Sequence, residues 1–255
     1  MKKIGIIVSM AAVFLILLSF GGFSGYKYYS TVYLPEKNIR DAYIAENDIF
    51  EAIAPHIEDI LSYDDNSSKN LLTACTNVNN DTVGWIVIPD TNINYPVMQC
   101  DDNDFYLHNG VDGNYNYELG CPFLDFRCEA DLSGFNSIVY GHHMDQGRMF
   151  ADIVLYDDES FFCDHDVGYL VLPNEVKKIE FFSFLCVSSN SPIYNTVFLS
   201  ASEREDYIDL LFSDAKYTQK FTSNELKEKD DLHFLLMSTC TFGEGDLRSV
   251  LVGVF

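Results

Sequence analysis

Cys240 ends the apolar run LHFLLMSTC and is followed by the polar, glycine-containing TFGEGD. A thiol at a strand end, beside a loop, is accessible in a way a mid-strand thiol is not. The competing reading is a small buried hydrophobe, the usual state of an unpaired cysteine. Arg248 opens the last apolar run, RSVLVGVF, eight residues further on. If the two runs form a hairpin, Cys240 and Arg248 close its two ends. Neighbouring strands lie roughly 5 Å apart, so the guanidinium can reach a group bound at the sulfur. There it can donate hydrogen bonds to a developing oxyanion and favour thiolate over thiol. The plainer alternative is an edge arginine that keeps a sheet soluble.

Thiol chemistry on a carbonyl also needs a proton carrier, and histidine titrates nearest to neutral pH. The candidates are His56, His108, His142, His143, His165 and His233. His56 falls in an N-terminal helical stretch, and His233 lies too far back along its run to meet the sulfur. His142 and His143 follow NSIVYG, so they stand at another strand end, where Gly141 lets the backbone turn sharply. The pair could instead be a surface feature or, with Asp145, part of a metal site. Adjacent histidines in a glycine-flanked loop lack the one-face spacing of a helical metal motif. The run DDND at 101–104 invites a Ca²⁺ reading but lacks the glycine and distal glutamate of an EF-hand loop. Neither a metal nor an organic cofactor is expected.

The elements that must position these groups are legible as short apolar runs separated by turn residues. GWIVIP (84–89), NSIVY (136–140), GYLVLP (168–173), KIEFFSFLCV (178–187), DLHFLLMS (231–238) and SVLVGVF (249–255) read as strands. Many short strands at such spacing predict an all-β barrel or sandwich. One late helix is expected at 202–214, where Tyr207, Ile208, Leu211 and Phe212 share a face. Before the strands, from Pro35 to Tyr63, apolar residues recur at helical spacing. Pro55 interrupts them, which predicts two short helices or a kinked one. The stretch SYDDNSSKN is a turn or linker signal, and 71–77 could form another short helix.

The net charge of −23, from 16 Lys+Arg against 39 Asp+Glu, repels phosphate backbones. Nucleic acid is therefore excluded as a partner, and amine-bearing partners are favoured over long range. Lys2 and Lys3 precede a 17-residue apolar run, Ile4 to Phe20, which Gly21 to Phe23 can extend. Its length exceeds the core of a cleaved signal peptide, and no Ala-x-Ala-like site follows. The expectation is a single-pass membrane anchor with a cytoplasmic N-terminus and an extracellular C-terminal domain. Seven cysteines, an odd number, leave at least one thiol unpaired in such a compartment. No close-spaced CxxC supports zinc.

YGHHM at 140–144, STC ending at Cys240, and Arg248 together resemble the sortases. GWIVIPDTNINYPVMQ (84–99), NDFYL (103–107) and PFLDFR (122–127) resemble class B sortases more closely, over about 170 residues from Asp81 onward. The resemblance implies a mainly β fold, a closed eight-stranded barrel with N-terminal helices and one late helix. The expected layout is a cytoplasmic tip at 1–3, a transmembrane signal anchor at 4–23, a helical stalk at 24–80 and the catalytic barrel at 81–255. The resemblance implies His142, Cys240 and Arg248 as catalytic residues, His142 being the one directly after glycine. It implies a peptide groove that uses Ser238, Asn103, Leu107, Ser189, Ile193 and Tyr194. Leu107 and Ile193 have core alternatives, and Asn103 could only cap a turn. The implied activity is transpeptidation of a sorting-motif peptide, cleaved after Thr through a thioester, to a cell-wall precursor amine (peptidoglycan or lipid II). Pilin polymerisation through a lysine is the alternative within the family. A hydrolytic thiol protease is the alternative outside it, although the papain-type Cys-Gly-Ser-Cys-Trp signature is missing. A non-catalytic binding module, with Cys240 in the core, is the third reading.

Overall fold

The computed structural model describes residues 19–63, 70–117, 119–144, 147–240 and 245–255. The chain divides into two compact units, residues 1–45 and 46–255. In the first, residues 19–28 are helical and lead through a π-helical turn, Tyr29–Tyr33, into helix α1, Leu34–Ile53, whose residues from Glu46 onward belong to the second unit.

The expectation of a single-pass membrane protein is corrected here. Among the described residues no helix is long and apolar enough to cross a membrane. The long helix that is described, α1, carries Glu36, Lys37, Arg40, Asp41, Glu46, Asp48 and Glu51, each costly in hydrocarbon. Residues 4–18 of the expected anchor lie outside the described residues.

In the second unit Pro55 sits between α1 and the short helix α2, Ile57–Leu61, because proline removes a donor and clashes with the preceding turn. A further short helix, α3 (Thr73–Val78), precedes the hairpin of β1 (Thr82–Val87) and β2 (Asn94–Met98). Helix α4 (Phe105–His108) leads to β3 (Phe123–Leu124), β4 (Asn136–Tyr140) and the small pair β5 (His143–Met144) and β6 (Arg148–Met149). A 3₁₀ segment and α5 (Glu159–Asp164) precede β7 (Val167–Val171) and the long β8 (Val176–Ser188). Helix α6 (Ala201–Ser213), β9 (Ala215–Thr218) and α7 (Ser223–Lys227) come before the last two strands, β10 (Phe234–Cys240) and β11 (Leu247–Val254).

The strand order is β11-β10-β4-β3-β2-β1-β7-β8, and β8 also pairs with β11, so eight strands close into a mixed barrel; β9 lies beside β8 outside the ring. Closure removes the sheet edges that would otherwise invite aggregation. The expected eight-stranded barrel with a late helix is the observed fold.

The apolar runs are continuous rather than alternating because both faces of these strands are covered. Leu235, Met237, Val139 and Leu251 point into the barrel interior with Ile86, Val97 and Phe184. Phe234, Leu236, Ile138, Val250 and Val252 point outward and are buried under Tyr207, Ile208 and Leu211 of α6. Fully burying one such side chain contributes about 1.5–3 kcal/mol. Leu251→Ala is expected to destabilise the protein by about 2–5 kcal/mol, whereas Leu199→Ala, at a residue 85% exposed, should stay within about 0.5 kcal/mol. Urea unfolding monitored by Trp85 fluorescence checks both, and a neutral Leu251→Ala would contradict the assigned interior.

Candidate active site

The strand β10 is flanked by β4 on one side and β11 on the other. Its antiparallel register with β11 sets Cys240 opposite Arg248 and Ser238 opposite Val250. Its parallel register with β4 sets Ser238 beside Tyr140. The Gly141 amide donates to the Ser238 carbonyl at 3.1 Å, which carries the pairing one step further. His142 follows Gly141 at this end of β4. Directly opposed residues share a face and successive residues alternate. Leu236, Ser238 and Cys240 therefore point to the outer side, with Tyr140, Val250 and Arg248. Beyond the reach of α6 that side opens to solvent, and Cys240 is exposed.

His142 is held from several directions. Its Nε2 lies 2.8 Å from the Leu107 carbonyl. A carbonyl only accepts, so Nε2 carries the proton in this contact. The His142 carbonyl accepts from the Phe150 amide at 2.9 Å. Two glycines make room for this arrangement. A Cβ at Gly141 would sit 2.5 Å from Phe150 Cγ, and one at Gly120, where φ is +63°, would sit 2.8 Å from His142 Cδ2. His143 belongs to β5 and pairs with Met149.

Arg248 is half-buried, and its Nη1 donates to the Leu247 carbonyl at 3.0 Å. Two residues earlier, the Asp246 carboxylate accepts from the hydroxyls of Ser188 and Ser189, each at 2.5 Å. These bonds, with help from the Arg248 charge, hold its carboxyl below the usual range.

A cleft of about 780 Å³ has Arg127, Tyr140, Ser189, Tyr194, Ser238 and Arg248 in its lining, while Cys240 and His142 are not part of that lining. That size suits an extended peptide segment or a small ligand. Its floor is a polar network. Tyr194 and Ser238 share a hydroxyl hydrogen bond of 2.9 Å, and the Tyr194 ring stacks on Tyr140 at 6.1 Å. Burial pushes the Tyr194 phenol upward in pKa, partly offset by the Ser238 bond and the Arg248 charge. The fully buried Asp125 carboxylate accepts from Arg127 Nε and Nη2, at 2.9 and 2.7 Å, and from the Tyr140 hydroxyl at 3.0 Å. Burial pushes Asp125 up, but the Arg127 bonds and charge outweigh it and leave the carboxyl below its usual range. Arg127 Nη2 also donates to the Tyr194 carbonyl at 3.1 Å, which links the cleft floor to its wall.

The groove residues expected from sequence are divided by the structure. Ser238, Ser189 and Tyr194 line the cleft. Ile193 is fully buried under α6, and its carbonyl accepts from the Tyr207 hydroxyl at 2.7 Å. Asn103 accepts from the Phe126 amide at 2.9 Å, and Leu107 meets His142 through its carbonyl. Sequence reasoning missed Asp125, Arg127, Tyr140, Gly120 and Asp246. Asp125 and Arg127 lie in PFLDFR and Tyr140 in YGHHM, so the signal was a polar residue inside each motif already noted.

Asp125 has a folded pKa below its unfolded value, so its stabilisation is present above the ordinary carboxylate range and is lost as pH falls through the folded value. Arg127 is 41% exposed, so solvent screens part of the pair. Asp125→Asn should lower stability by about 1–3 kcal/mol near neutral pH. The gap to the wild type should narrow below about pH 4, measured by urea unfolding at both pH values. A gap that stays constant would contradict the assigned charge state.

No family model matches the chain. Sortase B of Listeria monocytogenes is 32% identical over 163 residues, 64% of this chain and 64% of that protein, so the match spans just under two thirds of the curated relative. The solved structure of sortase B from Listeria monocytogenes superposes with a TM-score of 0.61 at 30% identity, covering 71% of this chain and 97% of that one. Clostridium perfringens sortase B gives a TM-score of 0.63 at 28% identity, covering 71% and 96%. With the closed barrel, these likenesses show that the chain belongs to the class B sortases.

Proposed function

We propose that the protein is a cysteine transpeptidase that cleaves a sorting-motif peptide after threonine and passes the acyl group to an amine. The observation that supports this reading is the β10–β11 register, which sets Cys240 opposite Arg248, beside β4, which leads through Gly141 to His142.

The peptide lies extended along the cleft beside Ser238 and Tyr194. The Cys240 sulfur attacks the threonine carbonyl, and the C=O electron pair moves onto oxygen. Arg248 donates to that oxyanion, supplying charge where it develops rather than in the ground state. The tetrahedral adduct collapses, the C–N bond breaks, and His142 gives its proton to the departing amine. A thioester on Cys240 remains. An incoming amine then adds to it, His142 takes the proton back, and the thiolate leaves as the new amide forms. With Nε2 committed to the Leu107 carbonyl, Nδ1 is the nitrogen that gives and takes the proton.

The acceptor is an amine of a cell-wall precursor or a lysine of another protein. The net charge of −23 favours the approach of either cationic group. A peptide library incubated with the enzyme, with and without added amines, tests the reading. An amide product that requires amine is expected. Cys240→Ala should give none, and Arg248→Ala should lower kcat/KM roughly 10²–10³-fold. Hydrolysis alone, at saturating amines of several kinds, would make the protein a thiol protease. Unchanged turnover in Cys240→Ala would overturn the assignment of the nucleophile.

A further inference from the structure

We infer that Glu46, in the last turns of α1, is a positioning residue for His142, and that residues 46–53 brace the histidine from two sides. This inference rests on the proposed role of His142 in proton transfer.

The first side runs through hydrogen bonds. Glu46 is only 5% exposed. Its Oε1 accepts from the Val111 amide at 3.0 Å and its Oε2 accepts from Asn116 Nδ2. Asn116 grips Gly120 by both backbone groups: its Nδ2 donates to the Gly120 carbonyl at 3.1 Å, and its Oδ1 accepts from the Gly120 amide at 3.0 Å. Gly120 in turn lies against the His142 ring. A Cβ there would be 2.8 Å from His142 Cδ2 and 2.9 Å from the Leu107 carbonyl oxygen that holds Nε2. A shift of the Asn116 loop therefore moves both the wall and the hydrogen-bond acceptor of the imidazole.

The second side runs through packing. Phe50, one turn after Glu46, meets Tyr95 edge-on at 5.4 Å. The Tyr95 hydroxyl accepts from the Met149 amide at 3.1 Å. Met149 pairs with His143, and its neighbour Phe150 donates its amide to the His142 carbonyl. The helix thus reaches the backbone on one side of His142 and the ring on the other.

A buried carboxylate is costly without a purpose or full pairing. Here burial raises the Glu46 pKa and the bonds from Asn116 and Val111 hold it down, while nearby Asp112 pushes it up. Glutamine keeps the volume and one acceptor, but its amide nitrogen opposes the Asn116 donor.

Steady-state kinetics of Glu46→Gln and Asn116→Ala, with melting curves, test the inference. Misplacing a catalytic group by about 1 Å can cost roughly 10²-fold in rate. Both variants should lose that much in kcat, with KM for the peptide within about twofold. The His142 imidazole pKa, read by NMR, should shift in both. Glu51→Ala, on the exposed side of the same helix, should change neither. Folded variants with wild-type kcat and an unshifted imidazole would overturn the inference. If both variants fail to fold, amide exchange in the wild-type enzyme decides. Gly120, Val111 and Phe150 should open only together with the helix at Phe50, and independent opening would overturn the brace. Failure of the transpeptidase reading looks different: His142→Ala would then turn over normally, whatever the imidazole titration shows.

Discussion

The arrangement depends on the register of one central strand. β10 pairs in parallel with β4 and antiparallel with β11. Each ladder fixes which residues are level, and the period of two fixes which side they face. A slip of one residue in either ladder would turn Arg248 or His142 to the barrel interior. The packing protects against such a slip. Leu235 and Met237 fill the interior, while Phe234 and Leu236 are buried beneath α6. A one-residue slip would exchange the two sets between the interior and the outer face. The apolar part of β10 thus holds its polar tip in register.

At that tip the environment changes within a few residues. Leu236 is fully buried, Ser238 almost so, and Cys240 is exposed. Ser238 keeps its hydroxyl satisfied through Tyr194. Tyr140 does the same through Asp125, which Arg127 neutralises. The cleft floor can be polar and partly buried because each of these groups has a partner. Cys240 lies where this network meets solvent, as the proposed nucleophile must.

Much of this was legible in the text because a barrel covered on both faces writes its strands as unbroken apolar runs. The position of a reactive residue at the end of such a run, before a polar loop, marked Cys240, Arg248 and His142 as strand-end residues. Other features left no such trace. β3, β5 and β6 span two residues each, too short for any periodicity. The DLHFLLMS run reads as strand from Asp231, yet the ladder starts at Phe234, because His233 is tied to Asp231 and to the Gly134 carbonyl. The acceptor for His142 is a backbone carbonyl, which no side-chain pattern records. Leu107 was singled out for its side chain, and its carbonyl makes the contact. Hydropathy in the first residues predicted an anchor, whereas the described helix that follows carries too many charges to cross a bilayer.

Mass mapping of the acyl-enzyme is the most direct measurement of whether the strand-end thiol is the nucleophile. Cys163 and Cys186 are also exposed, so the result discriminates among accessible thiols. The enzyme is quenched in acid during peptide turnover and digested, and the adduct is located. The registers around β10 predict a threonine-terminated acyl group on Cys240, with its accumulation abolished in His142→Ala. An acyl group on any other cysteine, or undiminished acylation without His142, would contradict the account.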